Sequence, residues 1–268
     1  MNELTLDELK RIEFDILKHF DAFCKEHNIR YYLAYGTLLG AIRYKKFIPW
    51  DDDVDVLVPR DDYERLLEIY QDNEQYKMFA FEKDGKFHYP FAKLCDLSTR
   101  KFMPEFRSSD AIPGVEIDIF PLDCWCSDYE SAKKEARSIY REIAFLQASQ
   151  LRESPTKKGL KSMLWKLVSV YAKIRTYKYF NKKIVKKSKA NKQETPVFVG
   201  SKSWCIYGER GVVPAEAFAD VAYVEFEGEM FPAPIGYDTY LTCLYGDYLP
   251  EPPKEKQKTN HNFKAYRI

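Results

Sequence analysis

The sequence predicts an α/β (α+β) fold in which helices flank a sheet, in a chain long enough for one large domain or two small ones. Three features carry the prediction: an amphipathic helix opens the chain, apolar runs with a period of two follow, and helical segments separate them. In the opening helix Thr5 caps the first turn, Glu8 completes a capping box, and Leu4 with Leu9 forms a hydrophobic staple. The apolar stripe runs through Leu9, Ile12, Phe14, Ile16, Leu17, Phe20 and Phe23 and ends near His27-Asn28. Arg30 to Tyr35 then reads as an aromatic strand, and Gly36 as its stop before a short helix beginning at Thr37. Pro49 excludes helix around it, which leaves Phe47 to Asp52 as a loop.

Val54 to Val58 is the next strand. Side chains alternate faces along it, so Asp53 and Asp55 point one way while Val54 and Val56 point into a core. Asp61 to Tyr70 reads as a capped helix, "YPFAKLC" as a strand, and Gly114 to Leu122 as an apolar strand with Glu116 and Asp118 on one face. The pattern turns helical from about Ser127. A hairpin at "VAYVEFEGEMFPAP", a helix near "YDTYLTCLYG" and a Pro-rich polar tail complete the chain. The expected organisation is a catalytic core over residues 1–150, a basic amphipathic helical segment over 151–196, and a part over 197–268 that completes the same domain.

Composition narrows the function by exclusion. With 45% hydrophobic and 31% charged residues the chain is ordinary globular material, and a net charge of +1 lacks the overall field of a nucleic-acid binder. Cys24, Cys95, Cys124, Cys126, Cys205 and Cys243 lack the paired spacing of a zinc site and read as mostly buried thiols of a reducing compartment. His19, His27 and His88 likewise lack metal-ligand spacing. The N-terminus has no apolar signal region and no run approaches membrane-spanning length, so the expected location is the cytoplasm.

The most informative stretch is "YGTLLGAIRYKKFIPWDDDVDVLVPRDD", which concentrates Asp51, Asp52, Asp53 and Asp55 just ahead of a β-branched run. Carboxylates this close repel and are costly to bury, so they are either solvated or neutralised by something positive. Taken alone, the run also suits a solvated loop. An EF-hand fails, because Val56 stands where that loop needs Gly and Asp62 where it needs a bidentate Glu. Asp53 and Asp55, with Asp118 from a neighbouring strand, would make an oxygen cage for Mg²⁺, with Mn²⁺ the other admissible ion. Gly36-Thr37 at a helix start would offer backbone N–H groups to a phosphate. Metal, positioning and a base are what phosphoryl transfer asks of a protein.

The segment "GTLLGAIRYKKFIPWDDDVDV" resembles the signature of the LicD family, bacterial phosphocholine transferases whose relatives include fukutin and fukutin-related protein. "FAKLCDLST", "GVEIDIFPLD" and "YLTCLYGDYLPEPP" match further on, and together they cover most of the chain outside the basic helical stretch. The resemblance implies a nucleotidyltransferase-like mixed sheet, Gly36-Thr37 as its turn, Asp53, Asp55 and Asp118 as catalytic carboxylates, and Asp51 also near the metal. It implies transfer of phosphocholine from CDP-choline to a sugar hydroxyl of a teichoic acid or lipopolysaccharide precursor, with release of CMP. Tyr44 and Lys46 depart from the His and Gly found in many members.

On this reading Arg43 and Lys93 are candidates for neutralising the diphosphate, and His261, which matches a family position, for reaching the nucleotide. Trp50 leads the candidates for a choline pocket, followed by Tyr31, Tyr32, Tyr35, Phe91, Trp125, Trp204 and Tyr207. Other CDP-linked donors (glycerol, ribitol or ethanolamine), a nucleotidyltransferase acting on RNA, and a catalytically dead scaffold are the rival readings. From Pro155 to Gln193 the chain has no acidic residue and many lysines interleaved with apolar positions. That stretch, Lys157 to Lys192, reads as a peripheral membrane contact or as a lid over a polyanionic acceptor.

Overall fold

The computed structural model describes residues 2–104, 113–152, 160–259 and 263–268, with backbone alone at 160–164. Strand β1 (Asn2–Glu3) leads into helix α1 (Leu6–Glu26), followed by β2 (Tyr32–Leu33), α2 (Tyr35–Tyr44), β3 (Asp55–Pro59) and α3 (Arg60–Ile69). Then come β4 (Tyr76–Phe79), α4 (Phe81–Asp84), β5 (Ala92–Asp96), β6 (Thr99–Phe102) and β7 (Val115–Cys124). Helices α5 (Tyr129–Gln150) and α6 (Leu160–Ser188) precede β8 (Phe198–Gly200) and β9 (Val213–Pro214). The hairpin β10 (Val221–Phe226) and β11 (Glu229–Pro234), helix α7 (Tyr237–Tyr245) and β12 (Lys264–Arg267) close the chain.

The main sheet has the order β2-β3-β7-β5-β4, with β8 and β9 continuing from the end of β7. β3 and β7 run parallel and the other pairs antiparallel, so the α/β fold is built on a mixed sheet. Val56, Leu57, Val58, Ile117 and Ile119 are fully buried although they point to alternate faces. Both faces of the central strands are therefore covered, which is why these runs read as almost continuously apolar. The helix α1 packs on β5 and β7, and α3 on β3 and β7.

Thr5 accepts the Glu8 N–H, Glu8 bonds back to the Thr5 N–H at 2.8 Å, and Leu9, Ile12, Ile16, Leu17 and Phe20 are buried. Other boundaries moved. The chain turns already at Ala34, whose N–H bonds to Asp55 O at 3.0 Å, so β2 is two residues long and α2 starts at Tyr35. Helix α3 has no side-chain cap, because Pro59 stands at the capping position. β5 begins at Ala92, since Pro90 has no N–H for the ladder. The Pro-rich polar tail ends in β12, which joins β1 and β6 in a second sheet.

A second apolar cluster forms where Ala132, Ala136, Ile139, Ile143 and Leu146 of α5 meet Ala172, Phe180 and Ile184 of α6. α6 is broken at Thr176, whose φ of 67° and ψ of 160° are not helical. All six cysteines are free; Cys24, Cys95 and Cys205 are buried, while Cys124, Cys126 and Cys243 are half-buried.

Candidate active site

The parallel register of β3 and β7 sets Asp55 opposite Asp118, and the antiparallel register of β7 and β5 sets Lys93 opposite Asp118 on the other side. Since side chains alternate along a strand, residues paired in this way share a face. All three line one cavity of about 570 Å³, together with Asp51, Asp53, Glu13, Lys101 and Glu116. The sequence-predicted carboxylates Asp51, Asp53, Asp55 and Asp118 thus line one cavity.

Their charge is only partly met. Burial, then the neighbouring Asp53, Asp118 and Asp51, raise the Asp55 carboxyl well above its ordinary range, against a smaller opposing pull from Lys93. Lys93, itself 5% exposed, is ion-paired to Asp118 and lies 3.2 Å from Glu116, which also receives Lys101 at 2.7 Å. Burial acts downward on the Lys93 ammonium, but Asp118 and Glu116 together outweigh it and hold its pKa well above the usual value. Asp118 is raised by burial, with Lys93 pulling the other way. For Glu116, Lys101 and Lys93 overcome burial and keep the carboxyl below its ordinary range.

The donors fit a hard divalent cation. Asp51, Asp52 and Asp53 each offer a carboxylate oxygen within 4.8 Å of the others, and Asp55 and Asp118, outside that trio, line the same cavity as Asp51 and Asp53. At Gly36 the backbone comes close to this group, for a Cβ there would lie 2.6 Å from Asp51 Oδ2. Only a residue without a side chain leaves that oxygen its place.

Not every expected residue faces the cavity. Thr37 is buried, off the cavity wall, and its Oγ1 accepts the Asp55 N–H at 2.8 Å, so it fastens α2 to β3. Arg43 does line the cavity, but its guanidinium donates to the carbonyl oxygens of Tyr248 and, at 2.9 Å, Pro250. It thereby ties down the C-terminal segment that brings Pro252, Lys256 and Lys258 to the cavity. His261 lies outside the described residues.

Trp50 is half-buried on the cavity wall, where Tyr35, Phe91, Trp204 and Tyr207 also stand. Apart from Trp50, the rings form a series: Tyr207 stacks on Tyr35 at 5.5 Å, Tyr35 meets Phe120 at 5.5 Å, Phe120 meets Phe91 at 4.4 Å, and Phe91 meets Trp204 at 5.2 Å. Tyr31, Tyr32 and Trp125 belong to the core instead, their polar ends satisfied by Asp21, Phe218 O and Gly211 O. His19 stacks on Tyr76, His88 on Tyr177, and His27 packs on Phe23.

Sequence reasoning missed Glu13, Asp52, Lys101, Lys256 and Lys258, and left Glu116 without a role. Glu13 had a signal: it is an acidic residue within the apolar stripe of α1, and it is 1% exposed. Burial holds its carboxyl well above the ordinary value despite Lys101. Glu116 shares a strand face with Asp118, and that parity was legible.

A family model described as LicD/FKTN/FKRP, nucleotidyltransferase domain, matches residues 28–140. The chain is 32% identical to the lipopolysaccharide cholinephosphotransferase LicD of Haemophilus influenzae over 275 residues, 99% of either chain. Uncharacterized proteins of Rickettsia prowazekii and Rickettsia typhi share 36% over 62 residues and 37% over 83, covering 23% and 31% of this chain and 23% and 26% of theirs. Matched along practically its whole length and across the strands that carry its aspartates, the chain belongs to the LicD family.

Proposed function

We propose that this protein transfers phosphocholine from CDP-choline to a sugar hydroxyl of a cell-surface glycan precursor, lipopolysaccharide in the first place and teichoic acid in the second, releasing CMP. The observation that carries the reading is one cavity lined both by carboxylates suited to a cation and by a series of aromatic rings. A quaternary ammonium offers no hydrogen bond, so ring faces are what recognise it, each contributing roughly 0.5–2 kcal/mol. Trp50, Tyr207 and Trp204, half-buried rings lining the cavity, are the faces available. Glycerol and ribitol would need hydrogen-bonding partners in their place.

Mg²⁺, or Mn²⁺ instead, held by Asp51, Asp53, Asp55 and Asp118, would supply neutralisation of the diphosphate oxygens. The acceptor oxygen forms a bond to the phosphorus that carries choline, while the bond from that phosphorus to CMP breaks and CMP leaves with the electron pair. Asp118 orients or deprotonates the hydroxyl, and Lys93 beside it offers its ammonium to the diphosphate and the departing CMP. Backbone N–H groups in the first turn of α2, around Gly36, receive phosphate oxygens. Lys256 and Lys258 supply positive charge on the C-terminal side, held there by Arg43.

We place the reaction in the cytoplasm, in keeping with six free thiols. Among the described residues no helix is long and apolar enough to cross a membrane. The test is a donor panel: CDP-choline, CDP-ethanolamine, CDP-glycerol and CDP-ribitol, each with Mg²⁺ and a glycan acceptor, with CMP as readout. CMP from CDP-choline far above the others is expected. CMP from another donor alone would name a different transferred group, and pyrophosphate from a nucleoside triphosphate would support an RNA-directed enzyme.

A further inference from the structure

Helix α6 is apolar on two faces. Trp165, Val168 and Ala172 pack inward into the second apolar cluster with α5. Leu167, Val170 and Ile174 point away from it, 64%, 58% and 75% exposed, and Tyr171, 43% exposed, flanks them with its ring edge against Phe145 at 5.6 Å. At 3.6 residues per turn these four fall within an arc of about 100°, the width of a stripe that ordinarily faces a core. Here the stripe faces outward.

The charges around it have one sign. Lys166 and Lys173 border the stripe on one side and Arg175 on the other, its guanidinium over the rings of Tyr171 and Tyr179. Further along, Lys183 and Lys187 pair with Glu142, Lys189 with Glu64 and Glu82, and Lys192 with Asp61. Among the described residues Lys166, Lys173 and Arg175 have no such acidic partner. The cations beside the exposed apolar stripe are therefore available to an external anion.

We propose that α6 docks the protein on the surface of an anionic bilayer, with Leu167, Val170, Tyr171 and Ile174 at the acyl boundary and Lys166, Lys173 and Arg175 on lipid phosphates. Charge complementarity selects this occupant, because a second copy of the chain would bring the same positive rim to the same face and be repelled. The docking does not depend on the transfer reaction. Its function would be to bring the cavity to an acceptor at the membrane.

The experiment is flotation of the full-length protein, without any nucleotide, on vesicles of phosphatidylglycerol mixed with phosphatidylcholine and on phosphatidylcholine alone. Binding to the anionic vesicles, weakened by salt, is expected. L167E/I174E should lower the partition coefficient on the order of 100-fold, and K166Q/K173Q on the order of tenfold, with thermal unfolding unchanged. If the Glu variant fails to fold, L167S/I174S is measured in its place. Equal binding to both vesicle types, none to either, or unaltered binding by the folded variants overturns the proposal. So does sedimentation showing a dimer that L167E/I174E abolishes in protein that does not float.

Discussion

Replacing Lys93 with Met tests the charge balance on which the cavity is built. Lys93 is 5% exposed, ion-paired to Asp118 and 3.2 Å from Glu116. Met keeps most of the stem's volume and removes the charge, so the change is mainly electrostatic. Glu116 retains Lys101 at 2.7 Å, whereas Asp118 loses the cation it is paired with. Breaking a buried pair from one side costs about 3–5 kcal/mol. The Asp118 side chain is 17% exposed and its carboxyl already lies above its ordinary range through burial, so it can relax by taking up a proton. That argues for the lower end, about 3 kcal/mol, or about 6–12 °C in Tm at ~2–4 °C per kcal/mol. Thermal unfolding of the chelator-treated protein by circular dichroism measures it. The deficit should shrink as pH falls toward the carboxylate range, because protonation removes the stranded charge, and Mg²⁺ should recover part of it. A shift under about 1 °C, or one indifferent to pH, would refute the account of Lys93 as the resident counter-ion.

Three other substitutions probe separate parts of the site. Gly36→Ala should lower turnover by at least about tenfold with little change in Tm, since a Cβ 2.6 Å from Asp51 Oδ2 displaces that oxygen; initial rates of CMP release check it. Arg43→Ala frees the carbonyls of Tyr248 and Pro250, so amide exchange in the C-terminal segment should quicken and KM for the donor should rise more than kcat falls. Glu13→Gln removes a carboxyl that burial raises well above its ordinary 4.5. A raised folded-state pKa contributes stability that is complete below the unfolded value and is lost as pH rises through the folded one. Glu13→Gln should therefore flatten that decline in urea midpoints and be neutral or stabilising near pH ~7; midpoints parallel to wild type at every pH would contradict it.

Much of this was written in local sequence. The capping box of α1 is a contact three residues long, and β3 and β7 announce themselves because strands covered on both faces must be apolar throughout. Strand parity was enough to group Glu116 with Asp118, but not Asp53 with Asp55: β3 begins at Asp55, and Asp53 reaches the cavity from the loop before it. What stayed hidden depends on partners far along the chain. β1 and β12 are two and four residues long and exist only through each other and β6. Thr37 looked like part of a phosphate turn, and only the closeness of α2 to β3 gives its hydroxyl to the Asp55 N–H. Arg43 was legible as a cation but not as a clamp, for its acceptors lie more than 200 positions away.

The proposed mechanism requires Asp51, Asp53, Asp55 and Asp118 to hold one divalent-cation site together. A Mn²⁺ titration followed by electron paramagnetic resonance, on wild type and on folded Asp55→Asn, tests it most directly. Saturable Mn²⁺ binding that Mg²⁺ displaces is expected in the wild type, and an affinity at least about tenfold weaker in the variant. Equal affinities in the two proteins, or no saturable binding in either, would contradict it.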